Sequence, residues 1–334
     1  MKILITGANG FIGRELCKKL TSSKNIVVGI GRQKTTIDNV IYEPIDILDR
    51  TSLENLFIKY QFDVVYHLAS ITFHDEIVNK KEKTLEVSLK GTENLVCLFN
   101  KYCSNAKFVY TSTGKVYGGQ HDDAISENTS IAPSNILGKS KYLTEQIIDY
   151  YASDNETNQF TILRVFNVYG QAQRSTFVVP HIIKHIKENN VIPLGNLDDK
   201  RDYIYISDVI DALVAILKDS LIPYHLDRFN IATKNCNSVR DILNILEKML
   251  NIKIPISTEK DRQRIDEYSV EIGDYAKFKA YYNWEPKVSL KEGLFDILTK
   301  ENLLWLLQEL RLESALPAVE VIWGIITKNT AARF

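Results

Sequence analysis

Three glycines spaced three apart, Gly7, Gly10 and Gly13, follow the apolar run Ile3-Leu4-Ile5 and precede Leu16 and Leu20 at helical spacing. That arrangement suits the binding of a pyrophosphate. The first glycine permits a tight turn, the second lets backbone N–H groups approach the phosphates, and the third lets a helix pack close on the strand. The phosphates then meet unpaired N–H groups and the positive end of the helix dipole. A glycine triplet can also be a plain structural turn, but the strand–turn–helix context favours a dinucleotide. Asn9, Phe11 and Ile12 lie in the same turn and are expected at the cofactor.

The end of the second strand selects the cofactor. An NAD-preferring site places Asp or Glu there for the ribose hydroxyls. Counting on from Gly13 reaches Gly31 and then Arg32, with no carboxylate. A guanidinium suits a 2′-phosphate through paired charged hydrogen bonds. The reading is NADP in preference to NAD; the alternative is a solvated arginine beside a site that takes NAD.

These residues need a scaffold. Ile26–Ile30, Ile41–Pro44, Asp63–Ala69 and Lys107–Thr111 read as further strands, separated by helical patterns such as Thr51–Tyr60 and Leu85–Phe99. Apolar strands alternating with helices predict an α/β fold, a doubly wound parallel sheet of Rossmann type. Ligands in such sheets bind at the carboxyl ends of the strands, which puts Gly7–Gly13, Asp46, Ala69-Ser70 and Ser112-Thr113 on one rim. In the second half, Ile162–Phe166 and Arg201–Ile206 read as strands; Val178–Lys187, Ser207–Leu217 and Asp241–Leu250 read as helices. The expected organisation is a dinucleotide domain over 1–165, a smaller C-terminal substrate-binding domain over 166–298 with 201–232 crossing back, and an extension over 299–334.

Composition sets bounds. The 334 residues are 45% hydrophobic and 25% charged, with a net charge of −1, which gives no argument for nucleic acid or an anionic membrane surface. Cys17, Cys97, Cys103 and Cys236 show no metal-like spacing and read as reduced thiols of a cytoplasmic protein. Neither a signal peptide nor a membrane span is expected.

The motifs as a set resemble the extended short-chain dehydrogenase/reductase family, the nucleotide-sugar epimerases and dehydratases. They are Thr6-Gly7-x-x-Gly10-x-x-Gly13, Asp46-Ile47, Asp63-x-x-x-His67-Leu68-Ala69, Gly91-Thr92-Glu93-Asn94-Leu95 and Tyr110-x-Ser112-Thr113-x-x-Val116-Tyr117-Gly118. Gly138-x-Ser140-Lys141, Leu163-Arg164-x-Phe166-Asn167-Val168-Tyr169-Gly170, Arg201-Asp202-Tyr203-Ile204 and Trp284-x-Pro286 follow in order, so the resemblance runs from residue 1 to about 298.

The resemblance implies roles. Asp46 and Ile47 fall at the adenine, the rival for Asp46 being a turn or helix cap, and Leu68, Ala69, Ser70 and Ser88 fall along the cofactor. Lys141 falls at the nicotinamide ribose and Thr113 at the reacting sugar hydroxyl. On the nucleoside-diphosphate-sugar side, Asn167, Arg201 and Arg264 match phosphate contacts, Glu267 a ribose contact, and His74 with Asp75 a variable substrate loop. The rival reading of Arg201 is an ion pair with Asp202 or Asp208, and that of His74 a surface loop. His67 is assigned to packing. The run Gly29-Ile30-Gly31-Arg32 also looks like the NADP-using relatives. A homodimer is implied.

One departure stands out. The family's catalytic tyrosine belongs four residues before Lys141, where this chain has Leu137. Leucine neither donates nor accepts a proton, and Tyr142 points to another face of the helix. Three explanations stay open: a binding-only relative, another acid/base, or an altered position. Lys115, two residues after Thr113, is the candidate substitute if a desolvated cleft lowers its pKa; a solvated loop lysine is the rival. Gly114-Lys115 also stands where dehydratases carry an acidic pair, which argues against 4,6-dehydration. The expectation is an epimerase or 4-ketoreductase-like oxidoreductase, or else a non-catalytic binding protein of the same fold.

In the extension, Leu303, Leu304, Leu307 and Leu310 share a helical face widened by Trp305 and Leu306, before Pro317 and the apolar run 319–326. It is expected to dock on the protein's own body, the alternatives being a subunit contact and then a place on a membrane surface.

Overall fold

A computed structural model describes residues 1–119, 121, 123–218, 225–259 and 269–304. Strand β1 (Lys2–Thr6) buries Ile3 through Thr6 and leads through the glycine turn into helix α1 (Phe11–Thr21). Strands β2 (Ile26–Ile30) and β3 (Ile41–Glu43), helix α2 (Arg50–Tyr60) and strand β4 (Val64–His67) follow. Asp49 starts α2 by accepting from the Ser52 N–H, an ordinary N-cap.

After β4 come the short helices α3 (His74–Asn79) and α4 (Lys81–Leu85), then a widened turn over Glu86–Lys90 that continues into α5 (Gly91–Tyr102). The helix expected over Leu85–Phe99 is therefore interrupted, and Ser88 sits in the interruption. Strand β5 (Lys107–Thr113), helix α6 (Ile136–Ser153) and strand β6 (Gln159–Val165) complete the run, with Asn135 capping α6 through the Gly138 N–H.

The described sheet has seven strands in the order Leu226–Ile231, β6, β5, β4, β1, β2, β3, and the described pairings are parallel. Sequence order reverses between β1 and β4, which opens a crevice at their carboxyl ends. One face of the sheet buries Leu4, Val28, Val65, Phe108 and Phe160 with Leu53, Phe57 and Phe99 from the covering helices. Phe99 meets Phe108 and Phe160 at 5.3 and 5.6 Å between ring centres. Burying an aromatic of this kind stabilises by about 1.5–3 kcal/mol, which is why the strands read as near-continuous apolar runs.

The chain divides into two compact units. The first comprises 1–168, 199–237 and 265–288. Residues 269–288, late in the chain, lie in this unit too. Physical ties account for this. Val270–Glu271 pairs in parallel with Lys200–Arg201. Phe278 packs edge-on against Phe229 at 5.4 Å, and the Trp284 indole donates to the Asp208 carbonyl at 3.2 Å. The single strand expected over Arg201–Ile206 is two short ones, Lys200–Arg201 and Tyr203–Tyr205, broken at Asp202. Asp202 is fully buried and accepts from Thr233 N and Oγ1, Lys234 N and Gly273 N at 2.7–3.2 Å.

The second unit comprises 169–198, 238–264 and 289–334. Its described parts are helices Val178–Lys187, Val239–Leu250 and Leu290–Lys300, and a parallel pair Ile192–Leu194 with Ile256–Thr258. Reciprocal capping boxes, Ser238 with Asp241 and Ser289 with Glu292, start two of these helices. Leu303 is buried, whereas Trp305, Leu306, Leu307, Leu310, Pro317 and 319–326 lie outside the described residues. Among the described residues no helix is long and apolar enough to cross a membrane.

Candidate functional site

The glycine turn is as tight as the spacing requires. Gly7 has φ +66°, and a Cβ on it would lie 2.9 Å from the Ala69 nitrogen. A Cβ on Gly13 would lie 2.2 Å from the Gly7 carbonyl oxygen. Gly10 differs. It has an ordinary extended φ of −79°, and a Cβ there would meet just the Gly7 oxygen, at 3.1 Å. Gly7 and Gly13 thus serve packing, and Gly10, at the start of α1 and exposed, leaves the helix N-terminus open to a ligand.

A buried chain of hydroxyls ties this turn to the rest of the rim. Thr6 Oγ1 accepts from the Leu68 and Ala69 N–H groups at 3.2 and 3.1 Å, which leaves its proton for His67 Nδ1 at 2.9 Å. His67 Nε2–H then donates to Thr92 Oγ1 at 2.9 Å, and the Thr92 hydroxyl to the Ser88 carbonyl at 2.5 Å. The tautomer follows from this bonding pattern. Desolvation, with the Lys141 charge adding to it, pulls His67 down to about 3. The packing role expected for His67 is therefore a polar one.

At the end of β2, a Cβ on Gly31 would lie 2.6 Å from the Tyr42 hydroxyl and 2.7 Å from Asn9 Oδ1. Arg32 is exposed. Arg14 Nε donates to the Asn9 carbonyl at 3.0 Å, which places a second cation, unforeseen from the sequence, at this corner. Asp46 Oδ1 accepts from the Leu48 N–H at 3.0 Å, as in the turn reading, while Ile47 is buried against Gly91 with its carbonyl bonded to Asn94.

At the end of β5, Thr113 Oγ1 accepts from the Lys115 N–H at 3.3 Å. The first turn of α6 lies directly on this loop: a Cβ on Gly138 would stand 2.4 Å from the Lys115 carbonyl oxygen. Gly138, the residue after Leu137, thus abuts the loop that carries Lys115. Leu137 is half-buried and packs on the hydrophobic core. Tyr142 packs instead with Val116, Tyr117 and Phe166, on another face of α6 as expected. Lys141 is 5% exposed; its Nζ donates to the Thr111 carbonyl at 2.7 Å and lies 4.7 Å from the Tyr110 ring centre. Desolvation pulls Lys141 down to about 7 against the raising effect of Glu145. Glu145 itself accepts from Ser112 Oγ at 2.5 Å and pairs with Arg164 at 2.7 Å, both buried, and Arg164 reaches the Tyr117 hydroxyl at 3.0 Å. This network fixes α6 against β5 and β6.

Asn167, Arg201 and Lys115 converge on one carboxylate, that of Glu271. Its Oε2 lies 2.8 Å from Lys115 Nζ, 3.3 Å from Asn167 Nδ2 and 3.8 Å from Arg201 Nε. Arg201 also bonds the Lys200 carbonyl at 3.0 Å and Asp199 at 3.5 Å. Among the described residues Arg201 pairs with Asp199 and Glu271, where the sequence pointed to Asp202 or Asp208. Lys115 thus has a carboxylate, that of Glu271, 2.8 Å from its amine. Of the remaining predicted residues, Ser70 is half-buried, His74 opens α3, and Arg264 and Glu267 lie outside the described residues. Among the described residues no group of three His, Cys, Asp or Glu could hold a metal, and all four cysteines are free, with burial pushing Cys17 and Cys103 up to about 12.

Known proteins share this architecture. A GDP-6-deoxy-D-talose 4-dehydrogenase from Aggregatibacter actinomycetemcomitans is 28% identical over 307 residues, covering 91% of this chain and 99% of that protein. A UDP-glucose 4-epimerase from Bacillus subtilis is 27% identical over 328 residues, covering 89% and 95%. The crystal structure of a UDP-glucose 4-epimerase from Thermotoga maritima with UDP-glucose superposes with a TM-score of 0.82 at 26% identity, covering 90% of this chain and all of that one. A UDP-glucuronic acid 4-epimerase from Bacillus cereus in complex with UDP-glucuronic acid and NAD gives 0.81 at 28% identity, also covering 90% and all of that chain. The family model for the NAD dependent epimerase/dehydratase family matches residues 3–232, and with that extent of agreement the chain belongs to this family.

Proposed function

We propose that the protein is a nucleotide-sugar oxidoreductase acting at a sugar 4-position, an epimerase or 4-ketoreductase, with Leu137 in place of the family tyrosine. The observation that carries the reading is the turn at Gly7–Gly13. Two glycines there are fixed by packing, and the third leaves the α1 N-terminus open, which fits a dinucleotide. The dinucleotide supplies the hydride chemistry. Gly7, Asn9, Gly10, Phe11, Ile12 and Gly13 would cradle its pyrophosphate, Asp46, Ile47 and Leu68–Ser70 its adenosine side, and Ser88 and Lys141 its nicotinamide side. Thr113 would orient the reacting hydroxyl, and Asn167 and Arg201 the sugar diphosphate. The relatives that interconvert 4-hydroxyl and 4-keto or epimeric sugars support the substrate class.

NADP is the proposed preference. Gly31-Arg32-Gln33-Lys34 offers cations and no carboxylate, and Arg14 adds another at the same corner. A homodimer is the proposed assembly, supported by an apolar groove of about 460 Å³ bordered by Leu89, Leu143, Ile147, Tyr150 and Tyr151, in which Leu143 and Tyr150 are 47% and 69% exposed.

A binding-only protein is the second reading, and one observation favours it: Lys141 is turned into the sheet toward the Thr111 carbonyl. The deciding experiment incubates the dinucleotide-loaded protein with UDP- and GDP-hexoses and their 4-keto-6-deoxy derivatives, following absorbance at 340 nm and product by mass spectrometry. Cofactor redox change or a new sugar epimer supports the oxidoreductase. Binding of sugar nucleotide with neither leaves the binding protein.

A further inference from the structure

Lys115 Nζ, Asn167 Nδ2 and Arg201 Nε surround Glu271 Oε2 at 2.8, 3.3 and 3.8 Å. Glu271 is 1% exposed, so this carboxylate is an anion inside the protein, held by two cations and an amide. The donors come from three separate elements. Lys115 follows β5, Asn167 follows β6, and Arg201 ends a short strand paired with the strand that carries Glu271. Donors converging in this way bind carboxylate and phosphate by the same charge-assisted hydrogen bonds.

We propose that Lys115 is a phosphate ligand of the sugar-nucleotide site, and that Glu271 is the resident anion which the diphosphate must exchange for. The inference rests on the proposed placement of the diphosphate at Asn167 and Arg201.

Charge decides the argument. Glu271 is one of the described carboxylates that balance the largely buried Lys115 and Arg201, and Asp199, at 3.5 Å from Arg201, is another. Removing the Glu271 charge takes away part of the compensation of two largely buried cations, which is costly. A diphosphate entering beside Glu271 would meet a like charge in a place of low dielectric. Exchange removes the conflict: the phosphate takes the donors, and the Glu271 carboxylate turns away. Glu271 therefore weakens anions in general and selects a ligand with enough phosphate charge and enough further contact to displace it. Gly114 is part of the device, since a Cβ on it would stand 3.1 Å from Glu271 Oε1 and crowd the carboxylate.

The test compares the full-length protein with Glu271→Gln, Lys115→Met and the double variant. UDP, GDP and inorganic pyrophosphate are titrated by calorimetry, and thermal unfolding is followed with and without each. Glutamine keeps the size and the acceptor oxygen but removes the charge. The expected result is that Glu271→Gln binds UDP or GDP at least about tenfold more tightly, an ion-pair-sized effect. It should also unfold at lower temperature than the parent when empty, with added UDP, GDP or pyrophosphate restoring the difference. Lys115→Met should weaken the same ligands, and the double variant should lose the gain. A Glu271→Gln protein that binds the nucleotides equally or more weakly than a binding-competent parent overturns the exchange and leaves the diphosphate placement standing. Absence of binding in the parent and in every variant overturns the diphosphate placement itself, and this inference with it.

Discussion

Lys141 gives its buried amine to the carbonyl oxygen of Thr111 at 2.7 Å, one residue before Ser112 and two before Thr113. A tyrosine at 137 would stand one helical turn from that amine and share its face. The leucine found there joins the hydrophobic core, so the lysine has the strand carbonyl as its partner and no phenol at 137 to activate. The helix, its cap and the hydroxyl on the facing strand are nonetheless all retained.

Leu137→Tyr should therefore install an acid/base where the surroundings are already built. Hydride exchange with a suitable sugar nucleotide should rise about 10²–10⁴-fold, measured as cofactor reduction at 340 nm. Adding Lys141→Met should cancel most of the gain. High parent activity that the tyrosine leaves unchanged would show that another group handles the proton.

The three glycines should separate by assay. Gly10→Ala faces one close neighbour and an unstrained φ, so its unfolding temperature should stay near the parent's while dinucleotide affinity falls. Gly13→Ala drives a Cβ to 2.2 Å from the Gly7 carbonyl, and should destabilise the fold by about 1–3 kcal/mol as well. Unchanged affinity in a folded Gly10→Ala protein would refute the pyrophosphate assignment.

Arg32→Ala should weaken NADP by roughly 1.5–3 kcal/mol more than NAD, since just the former carries the extra phosphate. Fluorescence titration of both cofactors against both proteins reads this directly. Equal losses, or a parent that prefers NAD, would assign the corner to NAD.

Acid should act through His67. The folded protein holds it neutral, chiefly by desolvation, down to about pH 3, whereas the unfolded chain takes the proton below about 6.5. The unfolded state thus binds more protons between those values, so the contribution is complete above pH 6.5 and is lost as pH falls toward 3. At its limit the loss is about 5 kcal/mol. Denaturant unfolding at pH 7.5, 5.5 and 4 should show this slope, and His67→Gln should flatten it at the expense of lower stability at pH 7.5.

Much of the rim was legible in the sequence because its signals are local. Gly7–Gly13, the strands and the Thr113–Lys115 loop need a few residues of context each. What could not be read joins distant positions. Lys115 and Glu271 are 156 residues apart, and no periodicity links them. The sequence sets Asp202 next to Arg201, yet that carboxylate accepts from the backbone of Thr233, Lys234 and Gly273. Likewise Glu145 reads as a polar residue on an amphipathic helix, and it takes the fold to bring Ser112 and Arg164 to it.

The interleaved first unit has a consequence for biosynthesis. As the chain leaves the ribosome, β6 emerges with one side unpaired, and the strand that covers it, Leu226–Ile231, follows roughly 60 residues later. At ordinary elongation rates that is about 3–12 s during which a long apolar edge stands open on the nascent sheet. The stretch around Val270–Trp284, which closes over Asp202, Asp208 and Phe229, comes later still. Newly made protein is thus most exposed to strand-edge aggregation and to chaperone capture in that interval, and a substitution that delays pairing of Leu226–Ile231 with β6 should lower soluble yield even where it leaves the finished molecule unaltered.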